Sequence, residues 1–130
     1  MQSMIDACKK CIDACKKCNK SCQDVTQCSG ANCSTQYNKC SQECRQCIEA
    51  CKKCIEECKK YLNQTDNADQ KMAMGECIKK CQECIKACEN CANACDKGNE
   101  KDCKQACASC VKACNDCIKA CQECIEKCSR

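Results

Sequence analysis

The sequence contains no proline, tryptophan, phenylalanine or histidine, and only three glycines and two tyrosines in 130 residues. Each absence excludes something. With so few breakers, little interrupts a helix, and long helices are expected. With two aromatic residues and no basic block behind a net charge of +4, the chain lacks the stacking platforms and basic stripe of a nucleic-acid binder. No apolar run approaches the ~20 residues that cross a bilayer. The opening residues Met1-Gln2-Ser3-Met4-Ile5-Asp6 lack the basic start and apolar stretch of a secretory signal. If Met1 is the native start, a cytoplasmic protein with reduced thiols is expected. Aliphatic residues are also scarce, with eight Ile, two Val and one Leu. That is too few for an ordinary core.

What is present in their place is cysteine, 27 residues of it. Four segments carry cysteines at alternating spacings of three and four. The first holds Cys8, Cys11, Cys15, Cys18 and Cys22, and the second holds Cys40, Cys44, Cys47, Cys51, Cys54 and Cys58. The third holds Cys77, Cys81, Cys84, Cys88, Cys91 and Cys95. The fourth holds Cys103, Cys107, Cys110, Cys114, Cys117, Cys121, Cys124 and Cys128. A mean spacing near 3.5 puts each set on one helix face, at the a and d positions of a heptad. Cys33 and Tyr37 extend the second seam backwards, and Cys28 falls off every seam. Reduced cysteine behaves as a small hydrophobe, so the thiols must fill the interior. The core is therefore the expected functional site.

The remaining positions complete the pattern. Position e carries Ile5, Ile12, Ile48, Ile55, Ile78, Ile85, Val111, Ile118 and Ile125. Position g carries Ala7, Ala14, Ala50, Ala87, Ala94, Ala106, Ala113 and Ala120. Polar and charged residues occupy b, c and f. Thiols thus point to an axis, Ile and Ala join neighbouring helices, and charges face water. Three breaks separate the seams. They are Gln27–Asn32 with Gly30 and a candidate N-cap at Asn32, Asn63–Asn67 with Thr65 and Asp66 as caps, and Lys97–Asn99 with Gly98 as stop and Asn99 as N-cap. The fold class predicted is all-α. Residues 1–130 are expected to form a single antiparallel up-down-up-down four-helix bundle, with helices near 2–26, 33–62, 67–97 and 100–129. A heptad of the form CxxCIxAC recurs at Cys44–Cys51, Cys81–Cys88 and Cys114–Cys121, which suggests capacity rather than one specialised site.

Rows of thiolates with no histidine suit soft ions of low coordination number, with Cu(I) first. A fully ionised, metal-free core would hold a prohibitive buried charge. One Cu(I) per thiolate removes it, which predicts roughly 20–27 ions per chain. Zn(II) favours isolated four-sulfur sites closed by short turns, and a continuous seam is poorly arranged for them. Iron–sulfur ligands usually sit on irregular loops. Complete intrachain disulfide pairing is impossible with an odd count. A general thiol buffer for Zn or Cd and a redox-active or disulfide-linked bundle remain the alternatives. Met1 and Met4 continue the first seam upstream, and Met74, with Met72 close by, continues the third. In an antiparallel bundle the four methionines meet Tyr61 and Cys128 at one end. There they either pass Cu(I) inward or plug the bundle. Cys22, Cys28, Cys33, Cys95 and Cys103 gather at the other end, where Cys28 either closes the last cluster or stays a loop thiol.

These CxxxCxxC seams, over residues 8–22, 33–58, 77–95 and 103–128, resemble the bacterial copper storage proteins across nearly the whole chain. The resemblance implies four-helix bundles that assemble as tetramers and store many Cu(I) ions along their axes. It also implies two subclasses, one exported and one cytosolic; the expectation for this chain is a cytoplasmic copper store, not an enzyme, with no nucleic-acid or membrane partner. Members often carry histidines near the mouth, and this chain has none, so the expected route for copper moves to Met1, Met4, Met72 and Met74.

Overall fold

The computed structural model describes residues 1–29 and 33–129. It contains four helices, α1 (Gln2–Gln27), α2 (Ser34–Leu62), α3 (Ala68–Lys97) and α4 (Glu100–Cys128). Their bounds follow the breaks in the cysteine seams to within a residue. No strand occurs among the described residues. Gly98 ends α3 in the left-handed region at φ 71°, and its N–H bonds to the carbonyls of Ala94 and Cys95. Asn99 then starts α4 by accepting the Asp102 N–H at 3.1 Å. At α3 the cap lies one position beyond the expected pair. Asn67 accepts the Gln70 N–H at 3.1 Å, while the Thr65 hydroxyl accepts the Asn67 N–H and donates to Gln70 Oε1. Thr65 thus braces the cap rather than forming it. The candidate cap Asn32 and the loop residue Gly30 lie outside the described residues.

The helices form an antiparallel bundle in which each packs against its two neighbours and α4 closes back on α1. Register can be read from the thiols. Cys8 faces Cys54, Cys11 faces Cys51, Cys15 faces Cys47, Cys18 faces Cys44 and Cys22 faces Cys40. The two residue numbers of every pair add to the same total, which is the mark of antiparallel alignment without slippage. The α3–α4 pairs Cys77–Cys121, Cys81–Cys117, Cys84–Cys114, Cys88–Cys110 and Cys91–Cys107 behave in the same way.

Ile and Ala divide the flanks between them. Antiparallel neighbours meet e to e and g to g, so Ile belongs to the α1–α4 and α2–α3 flanks and Ala to the α1–α2 and α3–α4 flanks. Surface grooves agree with this. Ile48 lines one between α2 and α3, and Ala87, Ala94 and Ala106 line one between α3 and α4. Ile5, Ile12 and Ile48 are buried, whereas Ile55, Ile78, Ile85, Val111, Ile118 and Ile125 are only half-buried against the core. The Ile residues therefore seal the bundle sides, and the cysteines supply most of the interior. Glu57 is the exception among charged residues. It is buried at the α2 surface and held by Lys60 at 3.2 Å and Lys53 at 3.5 Å. The Lys60 ammonium, joined by Lys53, keeps its carboxyl below the usual carboxylate range despite burial.

Candidate metal centre

Because all four seams face inward in one register, the thiols stack in layers. Five layers contain four cysteines, one from each helix. The first is Cys8, Cys54, Cys77 and Cys121, and the second is Cys11, Cys51, Cys81 and Cys117. Cys15, Cys47, Cys84 and Cys114 follow, then Cys18, Cys44, Cys88 and Cys110. Cys22, Cys40, Cys91 and Cys107 complete the stack. Every cysteine of the five layers is fully buried. The closest sulfur–sulfur approaches run from 3.4 Å for Cys91–Cys107 to 4.0 Å for Cys11–Cys81 and Cys18–Cys88. These are thiol–thiol contacts, not bonds.

The layers are not isolated sites. In the tetrad Cys11, Cys51, Cys81 and Cys117, the four sulfurs all lie within 4.8 Å of one another. The same holds for Cys11, Cys54, Cys81 and Cys121, and for Cys15, Cys51, Cys84 and Cys117. One sulfur therefore belongs to two tetrads, and the tetrads overlap along the axis. Successive thiols of one helix also approach, as in Cys84–Cys88 and Cys110–Cys114 at 3.9 Å. A geometry of shared sulfurs can hold metal ions as a continuous chain.

Proton placement in the metal-free core follows from the same crowding. The thiols of Cys22, Cys51, Cys88 and Cys121 are driven well above the ordinary thiol range, first by their thiol neighbours and then by burial. Those of Cys8, Cys18 and Cys40 are driven down by surrounding thiols that donate to them. A layer that loses one proton shares the remaining ones around the new thiolate, and further loss is opposed. Only an incoming cation relieves that opposition.

At one end, continuing the register beyond Cys8 and Cys77 brings Met4 and Met74 level with Cys58 and Cys124. All four are fully buried in the core. Cys58 and Cys124 also form a tetrad with Cys8 and Cys77. One step further out lie Met1 and Tyr61, half-buried, and Cys128, buried. Burial, then the neighbouring Cys124 and Cys8, push the Cys128 thiol up to about 12, against the pull of the Met1 α-amino group. Met72 does not join the other methionines. It stands 75% exposed on the outer face beside Asp69 and Glu76, because two residues turn a helix by about 200°. Gly75 also faces out, with nothing within 4 Å of a Cβ built on it, so no close approach explains it.

The other end differs. There the register brings Val25, fully buried, and Tyr37, half-buried, level with Cys95 and Cys103. Cys103 turns from the axis and donates to the Ala94 carbonyl at 3.0 Å, and burial raises its thiol. Cys28 and Cys33, both expected as ligands, are bonded to each other as a disulfide. As a cystine they have no thiolate to offer, so the ligand set comprises the 25 free cysteines, all buried. The signal in the sequence was the position of Cys28 off every seam, five residues from Cys33.

A groove of about 530 Å³ on the α3–α4 flank is lined by Glu83, Lys86, Asn90, Ala94, Ala106 and their neighbours, and no cysteine lines it. No helix among the described residues is long and apolar enough to cross a membrane. In comparisons with protein-family models, curated proteins and solved structures, nothing matches this chain.

Proposed function

We propose that this bundle is a high-capacity Cu(I) store rather than an enzyme, acting in the reducing cytoplasm in copper storage and detoxification. The observation that carries the reading is the overlap of the cysteine tetrads, in which one sulfur serves two neighbouring sites. Charge then selects the ion. Filling 25 thiolates with Zn(II) at four sulfurs each takes about six ions and leaves a buried charge of about −13. One Cu(I) per thiolate leaves none. Each sulfur then bridges two ions and each ion takes two sulfurs, which the sharing of one sulfur between neighbouring tetrads supports. The resemblance to copper storage proteins points the same way.

In this reading the chain's own groups do three things. The core thiols surrender one proton for each Cu(I) they accept, so the interior stays neutral at every stage of loading. The Ile and Ala flanks keep water from the sulfurs. Met1, Met4 and Met74 form the port, because thioethers hold Cu(I) weakly and carry no proton to displace.

The test is an anaerobic titration of the fully reduced protein with Cu(I) against a strong Cu(I) chelator. Chelator-resistant uptake of about 20–25 ions is expected, with about one proton released per ion. Saturation near six ions, with Zn or Cd held equally well, would make the protein a general thiol buffer instead.

A further inference from the structure

The disulfide is the one redox event written into this structure, and its position is informative. Twenty-five cysteines are free and buried, with sulfurs as close as 3.4 Å, yet none of them is bonded. The bonded pair, Cys28–Cys33, joins the end of α1 to the start of α2, with Cys28 off every seam and Cys33 at the outermost position of the second. Cys28 is half-buried, whereas the core cysteines are buried. Cys33 is the N-cap of the 29-residue helix α2, and its carbonyl accepts the Tyr37 N–H at 2.9 Å. Cys33 itself is buried, at 2% exposure, so the half-buried Cys28 is the more open member of the pair. Two cysteines already bonded to each other, one half-buried and outside the thiol layers, are the attributes of a dithiol that can be oxidised and reduced apart from the core.

We propose that Cys28 and Cys33 reduce Cu(II) to Cu(I) as copper reaches the protein, which rests on the copper reading given above. The step balances as follows. Two Cu(II) ions each take one electron, the two thiols lose their two protons, and one S–S bond forms between Cys28 and Cys33. The products are two Cu(I), two protons and the cystine present in this structure. A small-molecule dithiol, or two equivalents of a monothiol, restores the pair and is itself oxidised to a disulfide. The gain is protection of the store. Were core thiols to supply these electrons, each pair of Cu(II) ions would create one cystine between helices and remove two ligands. Neither cysteine belongs to any of the five four-cysteine layers, so their oxidation leaves those layers intact.

To test this, the protein is fully reduced, freed of reductant without air, and mixed with two equivalents of Cu(II) and a chromogenic Cu(I) chelator. The expected result is two Cu(I) per chain in a fast phase, with 25 thiols still countable and Cys28–Cys33 the cystine found by peptide mapping. In the C28S/C33S variant the fast phase should slow at least about tenfold, and any Cu(I) formed should consume core thiols. Cystines among the core peptides at the first two equivalents, or an unchanged rate in the variant, overturn the proposal. Peptide mapping on the wild-type chain keeps the test decisive even if the variant folds poorly. A parallel arm supplies Cu(I) directly. Equal uptake by wild type and variant assigns the pair to reduction, and a shortfall of about two ions in the variant assigns it to ligation and overturns the proposal. If neither protein takes up Cu(I), the storage reading fails alone, because the chelator still reports Cu(II) reduction.

Discussion

At the end where α1 and α3 begin, sulfur runs on past the last complete cysteine layer. Met4, Met74, Cys58 and Cys124 fill the next layer, and Met1 and Cys128 lie beyond it. At the opposite end hydrocarbon takes over. Val25 and Tyr37 stand where two more thiols could have been, Cys103 turns away to a backbone carbonyl, and Cys28 and Cys33 are consumed by their own bond. One heptad built both ends, and only the residues that finish each seam differ. The comparison teaches that a uniform core can still have direction. Soft donors lead out of one end, and a dry plug closes the other.

The sharpest way to break this comparison is to block the tube near its methionine end. Replacing Cys11, Cys51, Cys81 and Cys117 together by Val puts an apolar layer behind the first complete one. If ions pass only from the methionine end, capacity should fall from about 25 Cu(I) to about 7, the layers beyond the block staying empty. If both ends admit copper, it should fall only to about 21. Anaerobic titration measures the difference, and circular dichroism checks that the variant remains helical.

A smaller effect sharpens the same comparison kinetically. Substituting Leu at Met1, Met4 and Met74 keeps the apolar volume and removes the thioethers. Uptake of Cu(I) in stopped flow should slow by about tenfold, with final capacity unchanged. Met72→Leu serves as the control and should change neither quantity, since Met72 faces solvent. Equal rates in all variants would leave the methionines as a plug, and the two ends would then differ only in the atoms that close them.

Much of this was legible before any coordinates. The spacing of cysteines defines the helices, because a 3.5-residue period and an absence of proline leave few other structures open. Gly98 and Asn99 act as the sequence predicts. Thiol layering follows from the seams once the helices are antiparallel. Three features were not legible for physical reasons. The position of Cys28 off every seam sets it apart from the ligands, but its bond to Cys33 depends on where the two sulfurs meet in space, which spacing alone does not fix. The partition of Ile and Ala between alternate flanks depends on which face of each helix meets which neighbour. Cys103 turns to the Ala94 carbonyl because α4 begins beside the end of α3, although its seam position is that of a core ligand. Met72 is a different case, since its half-turn offset from Met74 was present in the sequence all along.

Stability against pH gives a third comparison of the ends. Burial raises the thiols of Cys128 at one end and Cys103 at the other, the former up to about 12. In the unfolded chain these thiols ionise near pH 8.5. Above that pH the unfolded chain therefore holds fewer protons than the folded one, and rising pH favours unfolding. For Cys128 the loss of stability runs from about pH 8.5 to about 12. The reduced, metal-free protein should lose several degrees of Tm between about pH 8 and 10. Cys128→Ser should flatten that slope more than Cys103→Ser, because the rise at Cys103 is opposed by its hydrogen bond with Cys95, whereas Cys124 and Cys8 add to the rise at Cys128. Loading with Cu(I) should reverse the slope, because the loaded core holds no thiol protons while the unfolded chain still binds them below about pH 8.5.

The smallest expected effect concerns what keeps the two ends distinct at all. A core of identical thiols specifies register poorly, since sliding one helix by a heptad presents another row of cysteines. Polar contacts on the flanks must supply what the core does not. On the α1–α4 flank Asn19 donates to Asn115 at 2.7 Å, interrupting the run of Ile at position e. On the α2–α3 flank Asp96 accepts from the Ser41 hydroxyl at 2.7 Å and pairs with Arg45. Replacing Asn19 by Ile and Asn115 by Ala should change unfolding free energy by less than about 1 kcal/mol, because one exposed amide pair is exchanged for apolar contact. Its consequence should appear instead in uniqueness. A helix freed to slide would no longer hold Met4 level with Met74, and NMR of the reduced protein should show doubled methyl resonances for Met4 and Val25. Single resonances in that variant, with stability unchanged, would mean that the end layers themselves, thioether at one end and Val25 with Tyr37 at the other, lock the register by shape.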